Sequence, residues 1–159
     1  MFRFKMLVPA IAGIMMFAAH SWAASACHDV HVEATNSAVD PMLIFGKYAG
    51  SALISLDGQP AIPAAISLVP VELKIGDDGS VHPTGMLTFD LGPMGTLTVQ
   101  DNAVLTPTEN PYVYRMNSRL DNLSGTGMFT GVIGKFSDHG EFALATATVF
   151  AQADGRICW

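Results

Sequence analysis

The chain has 159 residues; half are hydrophobic, 14% are charged, and the net charge is −6 at pH 7. This length predicts one domain, and high hydrophobicity with few charges excludes an intrinsically disordered chain. The negative charge argues against a nucleic-acid-binding protein, because such proteins depend on basic residues to neutralise phosphates.

The first 26 residues have the three parts of a secretory signal peptide. Arg3 and Lys5 give a positive start, residues 6–19 (MLVPAIAGIMMFAA) form an apolar stretch, and small residues follow up to Ala26. The apolar stretch is shorter than the roughly 20 residues that a membrane-spanning helix needs. We therefore predict a cleaved signal and no transmembrane segment.

Cleavage after Ala23 or after Ala26 fits the small-residue pattern. The remaining residues 27–159 would form a single β-barrel domain of a secreted or periplasmic protein, and loss of two basic residues lowers the net charge from −6 to about −8. A minor alternative is a bacterial lipoprotein anchored through Cys27, although Ala24 stands where the lipoprotein pattern usually has Leu.

Cys27 and Cys158 are the two cysteines of the chain. An even cysteine count in an exported protein suggests a disulfide, which here would join the first strand to the last. The alternative is a redox or catalytic thiol, but the sequence has no Cys-x-x-Cys motif, and a cysteine beside a chain end is a poor position for a nucleophile.

Turn-forming residues divide the chain into segments in which apolar residues take every second position, as in Leu87, Phe89 and Leu91. This period of two is typical of β-strands, and the turns recur about every 13–16 residues from Gly76 onward. We predict eight strands, over residues 28–36, 49–56, 63–75, 80–91, 95–106, 112–122, 128–137 and 141–152.

The sequence also predicts one uninterrupted strand near the end of the chain, one turn before it and one short helix. The run from Phe142 to Phe150 alternates as one strand, and Asp138-His139-Gly140 has the composition of a turn. Residues 38–49 (AVDPMLIFGKYA) are the best helix candidate after the signal, but Pro41 and Gly46 limit its length.

Eight antiparallel strands joined by short hairpins favour an all-β fold with a closed up-and-down barrel, which leaves no exposed sheet edge. A β-sandwich is the alternative. An eight-stranded barrel either fills its interior with side chains or holds one small ligand.

Residues 125–136 (GTGMFTGVIGKF) form a glycine cluster. Phe136 follows Gly134-Lys135 where a phosphate-binding loop needs Ser or Thr, and Thr130 replaces the third glycine of a dinucleotide-binding motif. We instead predict an alternating strand in which the glycines permit sharp coiling. Its members are Gly127, Phe129, Gly131, Gly134 and Phe136.

This segment resembles a G-T-G-x-F-x-G-x-x-G motif of small exported bacterial proteins of unassigned function. It is similar to the barrel family that includes plant allene oxide cyclase and dirigent proteins. The resemblance covers roughly residues 80–158, including FDLGPMGTL (89–97), AVLTPT (103–108), YRMNSRL (114–120) and GRIC (155–158). It implies a closed antiparallel barrel and no particular reaction. The plant cyclases act on an epoxide fatty acid inside the barrel, but their catalytic positions match no residue here.

Arg115, Asn117 and Arg119 alternate on one face of the sixth strand. If the opposite face, with Met116 and Leu120, is core, the arginine face is solvated. If the arginine face lines a lumen, two guanidiniums would clamp a carboxylate or phosphate. These three residues are the candidate ligand-binding site.

No other pattern indicates a catalytic, metal or cofactor site. His28 and His31 lie three apart, on opposite faces of a strand, and no spacing requires a third metal ligand from Glu33 or His139. The chain has no G-x-S-x-G nucleophile motif. We therefore predict no catalytic residue, no metal site and no cofactor.

Three functional hypotheses follow. The first is an exported, non-catalytic barrel of unknown role that binds a small apolar ligand or a protein partner. The second is an isomerase or cyclase acting on a lipid-like substrate in the barrel, and the third is a structural or envelope-attached surface protein. An open lumen favours the first two, and a filled interior favours the third.

Overall fold

Residues 26–159 are described by the computed structural model, so the predicted signal peptide, apart from Ala26, lies outside the described residues. Eight strands form a closed barrel in which each strand pairs antiparallel with its neighbour in sequence and β1 pairs with β8. The predicted all-β barrel is confirmed. The strands are β1 Cys27–Ala38, β2 Tyr48–Leu56, β3 Ile62–Ile75, β4 Val81–Asp90, β5 Thr96–Pro107, β6 Val113–Gly125, β7 Ile133–Ala143 and β8 Thr148–Cys158.

The alternation of side chains places one face of every strand inside the barrel, where two apolar clusters form the core. The larger cluster contains the fully buried Val99, Leu120 and Phe129, and the smaller one contains Tyr48 and Phe142. Burying a large apolar side chain contributes roughly 1.5–3 kcal/mol, so these inward faces stabilise the closed barrel.

Cys27 and Cys158 form the predicted disulfide. They are directly opposite each other in the pairing of β1 with β8, so the bond covalently joins the first strand to the last. The aromatic ring of Trp159 stacks on His28 at 4.4 Å between ring centroids and covers this end of the seam.

The last two strands begin later than the sequence pattern predicts. The predicted turn at Asp138-His139-Gly140 is wrong, because these residues lie in the middle of β7. The predicted continuous strand from Phe142 to Phe150 is also wrong, because a turn over residues 144–147 separates β7 from β8. Phe142 is buried inside the barrel, whereas Phe150 is 52% exposed on its outer face. The strand predicted over 128–137 is therefore Ile133–Ala143, and the strand predicted over 141–152 is Thr148–Cys158.

The glycine segment is mostly a loop, so the predicted strand through Gly127 and Gly131 is wrong. Gly127–Phe129 is a short 3-10 turn that places Phe129 in the main core cluster. Gly95 approaches Gly127 so closely that a Cβ added to either would lie 3.0 Å from the other's Cα. The loop therefore packs on the 3-10 turn Gly92–Met94 and covers one end of the barrel.

The connection between β1 and β2 covers the other end. It contains turns and no helix, so the predicted helical turn in residues 38–49 is wrong. Ile44 packs against the smaller cluster, and the Tyr48 hydroxyl donates a hydrogen bond to the Ile44 carbonyl. Within residues 26–159 no helix is long and apolar enough to cross a membrane.

Candidate functional site

The sequence-predicted site lies on the outside of the barrel. Arg115, Asn117 and Arg119 are exposed on the outer face of β6, and Arg119 forms an ion pair with Asp121 at 3.0 Å. The structure therefore places the three residues on one solvated face and brings none of them into the interior.

A polar group that the sequence analysis missed lies inside the barrel, on three adjacent strands. Ser118 of β6 is directly opposite Asp138 of β7 and Ala103 of β5. Asp101 is the next inward-facing residue of β5 before Ala103, diagonal to Ser118. The hydroxyl of Ser118 thus stands between two carboxyl groups, and Asn36 of β1 adds a buried amide.

Three of these four polar side chains are buried, Asp101 is partly buried, and all four are incompletely paired. Asn36 and Ser118 are 8% exposed and Asp138 is 9% exposed. Asn36 Oδ1, Asp101 Oδ1, Ser118 Oγ and Asp138 Oδ1 have no hydrogen-bond partner among the described residues. A buried polar atom without a partner costs about 1–3 kcal/mol, so four such atoms oppose folding unless another molecule supplies the missing hydrogen bonds.

The two carboxyl groups hold protons more tightly than exposed acids do. Burial, together with the negative charge of Asp138, raises the pKa of Asp101 to about 7. Burial also raises the pKa of Asp138. The nearby Ser118 hydroxyl partly offsets both increases in pKa. Its Oγ nevertheless makes no hydrogen bond of normal geometry among the described residues. Near neutral pH both carboxyl groups are therefore protonated to a greater extent than exposed carboxyl groups, since burial and mutual repulsion disfavour their charged forms.

Two adjoining cavities reach this polar group. One, of about 50 Å³, is lined by Asn36, Asp101 and Asp138 together with apolar side chains. The other, of about 70 Å³, is lined by Phe45, Tyr48, Phe142 and further apolar side chains. Four residues line both cavities and mark where they meet: Leu68, Asp101, Met116 and Val149.

The larger cavity opens towards solvent beside the irregularity in β3. Its lining includes the partly exposed Phe45 and Leu73 and the exposed Glu72. The pairing of β3 with β4 shifts register between Pro70 and Glu72, which loosens the wall at this point. The exposed rim of this cavity therefore lies on the β3 side of the barrel, and Asp101 forms part of its lining.

The surface histidines pair with separate carboxylates. His28 Nδ1 lies 2.6 Å from Asp57 Oδ2, and His31 Nδ1 lies 2.8 Å from Asp154 Oδ1. His139 is exposed on the outer face of β7. Across the described part of the chain, no group of three His, Cys, Asp or Glu side chains is arranged to hold a metal ion.

The inward direction of Asp101 could have been predicted from the alternation of apolar residues in β5. Leu97 and Val99 precede it at every second position and are buried, so the same alternation points Asp101 inward. Asp138 gives no such signal, because its neighbours His139 and Gly140 have the composition of a turn.

No protein-family model, curated protein or solved structure matches this chain.

Proposed function

We propose that this chain is an exported, non-catalytic β-barrel that binds one small, mainly apolar molecule in its interior. The observation that carries the proposal is the set of four buried, unpartnered polar atoms beside an apolar cavity. Small-molecule sites in proteins are predominantly apolar and hold a few polar groups that orient the ligand. The interior of this barrel has that composition.

The cavity volumes limit the ligand to a few non-hydrogen atoms. The two spaces measure about 70 and 50 Å³, whereas an engineered cavity of about 150 Å³ binds benzene. A ligand about the size of butanol fits this interior. A fatty-acid chain, which the resemblance to allene oxide cyclase implies, is too long for the cavities as they stand.

The proposal of export rests on the signal-like residues 1–26 and on the disulfide, since disulfides persist in oxidising compartments. The bond of Cys27 to Cys158 supports a secreted or periplasmic protein over a lipoprotein, because lipid on Cys27 would use the same sulfur. Membership of the allene oxide cyclase and dirigent-like family is part of this proposal, and the closed barrel supports it.

A second candidate function is an isomerase or cyclase acting in the same cavity. It is favoured by Asp101, whose pKa of about 7 suits proton transfer at neutral pH. Mass spectrometry of small lipid-like substrates after incubation with the chain tests it. Catalysis would be supported if the wild type converts a substrate and Asp101→Asn does not. If the wild type converts no substrate, only the binding function remains.

Binding of n-butanol tests the main proposal directly. The test follows amide NMR shifts of residues 27–159 and compares two variants of neighbouring residues on β5. Ala103→Val adds volume inside the cavity, whereas Val104→Ile adds volume on the outer face. We expect saturable shifts around the cavity in the wild type and Val104→Ile, and at least fivefold weaker binding by Ala103→Val. The proposal is wrong if butanol shifts no interior residue or if both variants bind like the wild type.

A further inference from the structure

We propose that the interior site takes a small primary amine as its ligand, with the protonated amino group held by Asp101, Asp138 and Asn36. This inference rests on the proposed ligand-binding function and names the chemical class of the ligand.

The hydrogen-bonding groups of the site match an ammonium ion. An alkylammonium group has three N–H donors and no acceptor. The 50 Å³ cavity is lined by three residues that each carry an unpartnered acceptor oxygen, namely Asn36 Oδ1, Asp101 Oδ1 and Asp138 Oδ1. One bound amino group would therefore satisfy three buried acceptors at once, and each of them is costly when left unpaired.

The charge of the site also favours a cation. Ionisation of Asp101 or Asp138 places a negative charge inside the barrel, where a buried carboxylate needs a partner. All six Lys and Arg residues within 26–159 are exposed, so no basic side chain of the described chain neutralises that charge from within. A protonated amine supplies the missing charge, whereas an anion would be repelled and an alcohol would leave the charge unpaired.

The larger cavity accommodates the apolar part of such a ligand. It adjoins the carboxyl groups through Leu68, Met116 and Val149, and its walls include the rings of Tyr48 and Phe142. Its volume of about 70 Å³ suits a short alkyl chain.

Paired titrations with n-butylamine and n-butanol test the inference, because the two ligands share size and shape and differ in charge. Calorimetry at pH 7.5 compares the wild type with Asp138→Asn and Glu141→Gln. The second variant is the control, because it removes a carboxylate from the exposed outer face of the same strand. We expect the wild type to bind butylamine at least about tenfold more tightly than butanol, as hydrogen bonds to charged groups predict. Asp138→Asn should lose that preference and keep its affinity for butanol, and Glu141→Gln should behave like the wild type.

The possible outcomes separate the amine inference from the proposed function. Binding of butanol with no preference for butylamine overturns the amine inference and leaves the proposed function standing. Binding of neither ligand overturns both and indicates that the cavities hold only water. A loss of preference in Glu141→Gln as large as that in Asp138→Asn places amine binding outside the barrel and also overturns the inference. If Asp138→Asn does not fold, Asp101→Asn takes its place and should lose the preference for butylamine in the same way.

Discussion

Asp101 of β5 and Asp138 of β7 lie on either side of Ser118 inside the barrel, in a wall that is otherwise largely apolar. Two buried acids without partners oppose folding, since a buried charge is stabilised only by pairing or by neutralisation. A barrel built only for stability would have apolar residues at these positions. The pair is therefore the feature of the fold that most directly indicates a function.

The stability of the empty barrel should fall as pH rises from about 4 to 7. Because burial raises the pKa of Asp101 from 3.8 to about 7, the folded chain binds more protons than the unfolded chain in this range, and the free energy of unfolding decreases with pH. The difference corresponds to about 4 kcal/mol at most for Asp101, and Asp138 acts in the same direction. Urea denaturation at pH 4.5, 6 and 8 measures the slope.

Asp101→Asn should flatten this dependence and make the barrel more stable than the wild type at pH 8, because it removes the charge that burial opposes. Asp77→Asn, in an exposed turn, is the matched control and should keep the wild-type slope. An undiminished slope in Asp101→Asn would show that this carboxyl is not buried in the folded chain.

Removal of the disulfide should destabilise the barrel strongly. Cys27 and Cys158 are separated by 131 residues, and loss of a bond closing such a loop costs about 5 kcal/mol in the chain-entropy model. Cys27→Ser combined with Cys158→Ser should therefore unfold at much lower urea concentration, with Trp159 fluorescence as the probe. Wild-type protein reduced with dithiothreitol should match the double variant. A change below about 1 kcal/mol would mean that the pairing of β1 with β8 holds the seam without the bond.

Two glycines of the same loop should respond differently to alanine. Gly127 and Gly131 both have positive φ, at 60° and 79°, so alanine costs about 1 kcal/mol of backbone strain at each. An added Cβ at Gly127 would lie 2.5 Å from the Met94 carbonyl oxygen, whereas the space around Gly131 is open. We expect Gly131→Ala to cost about 1 kcal/mol and Gly127→Ala about 2–4 kcal/mol. Equal losses in urea denaturation would contradict the close packing of this loop on residues 92–95.

The ring of His31 should titrate above the ordinary histidine range. Its hydrogen bond to Asp154 raises its pKa above 6.5, and Glu33 adds to the increase. A raised folded-state pKa means that this interaction stabilises the fold fully below pH 6.5 and is lost as pH rises through the folded-state value. NMR titration should show a larger decrease in the His31 pKa for Asp154→Asn than for Glu33→Gln, because Asp154 is nearer, at 2.8 Å against 3.7 Å. The reverse order would contradict the pairing across β1 and β8.

The barrel and its disulfide could be predicted from the sequence because they depend on local signals. Alternating apolar residues define the first six strands, and an even cysteine count indicates the bond. The predicted bounds of the last two strands were wrong because the turn between them, over residues 144–147, has the sequence Leu-Ala-Thr-Ala. This sequence contains none of the usual turn residues. Its position is set by pairing, since Ala143 must meet Val113 and Thr148 must meet Ser37.

The interior site was not predicted because it depends on which strands become neighbours. Asp101 and Asp138 are far apart in sequence, and only the order β5, β6, β7 brings them to the two sides of Ser118. Arg115 and Arg119 were predicted to bind a ligand because of their charge. The alternation along β6 buries Met116 and Leu120 and therefore exposes both arginines. In this strand the inward Ser118, rather than the outward arginines, lies between the two buried carboxyl groups.

A crystal structure of residues 27–159 grown with n-butylamine would show directly whether the interior holds an amine. We expect density for one amine inside the barrel, with its nitrogen within hydrogen-bond distance of Asp101, Asp138 and Asn36 and its alkyl chain against Tyr48 and Phe142. An interior closed by side chains, or holding only water between the two carboxyl groups, would contradict this expectation.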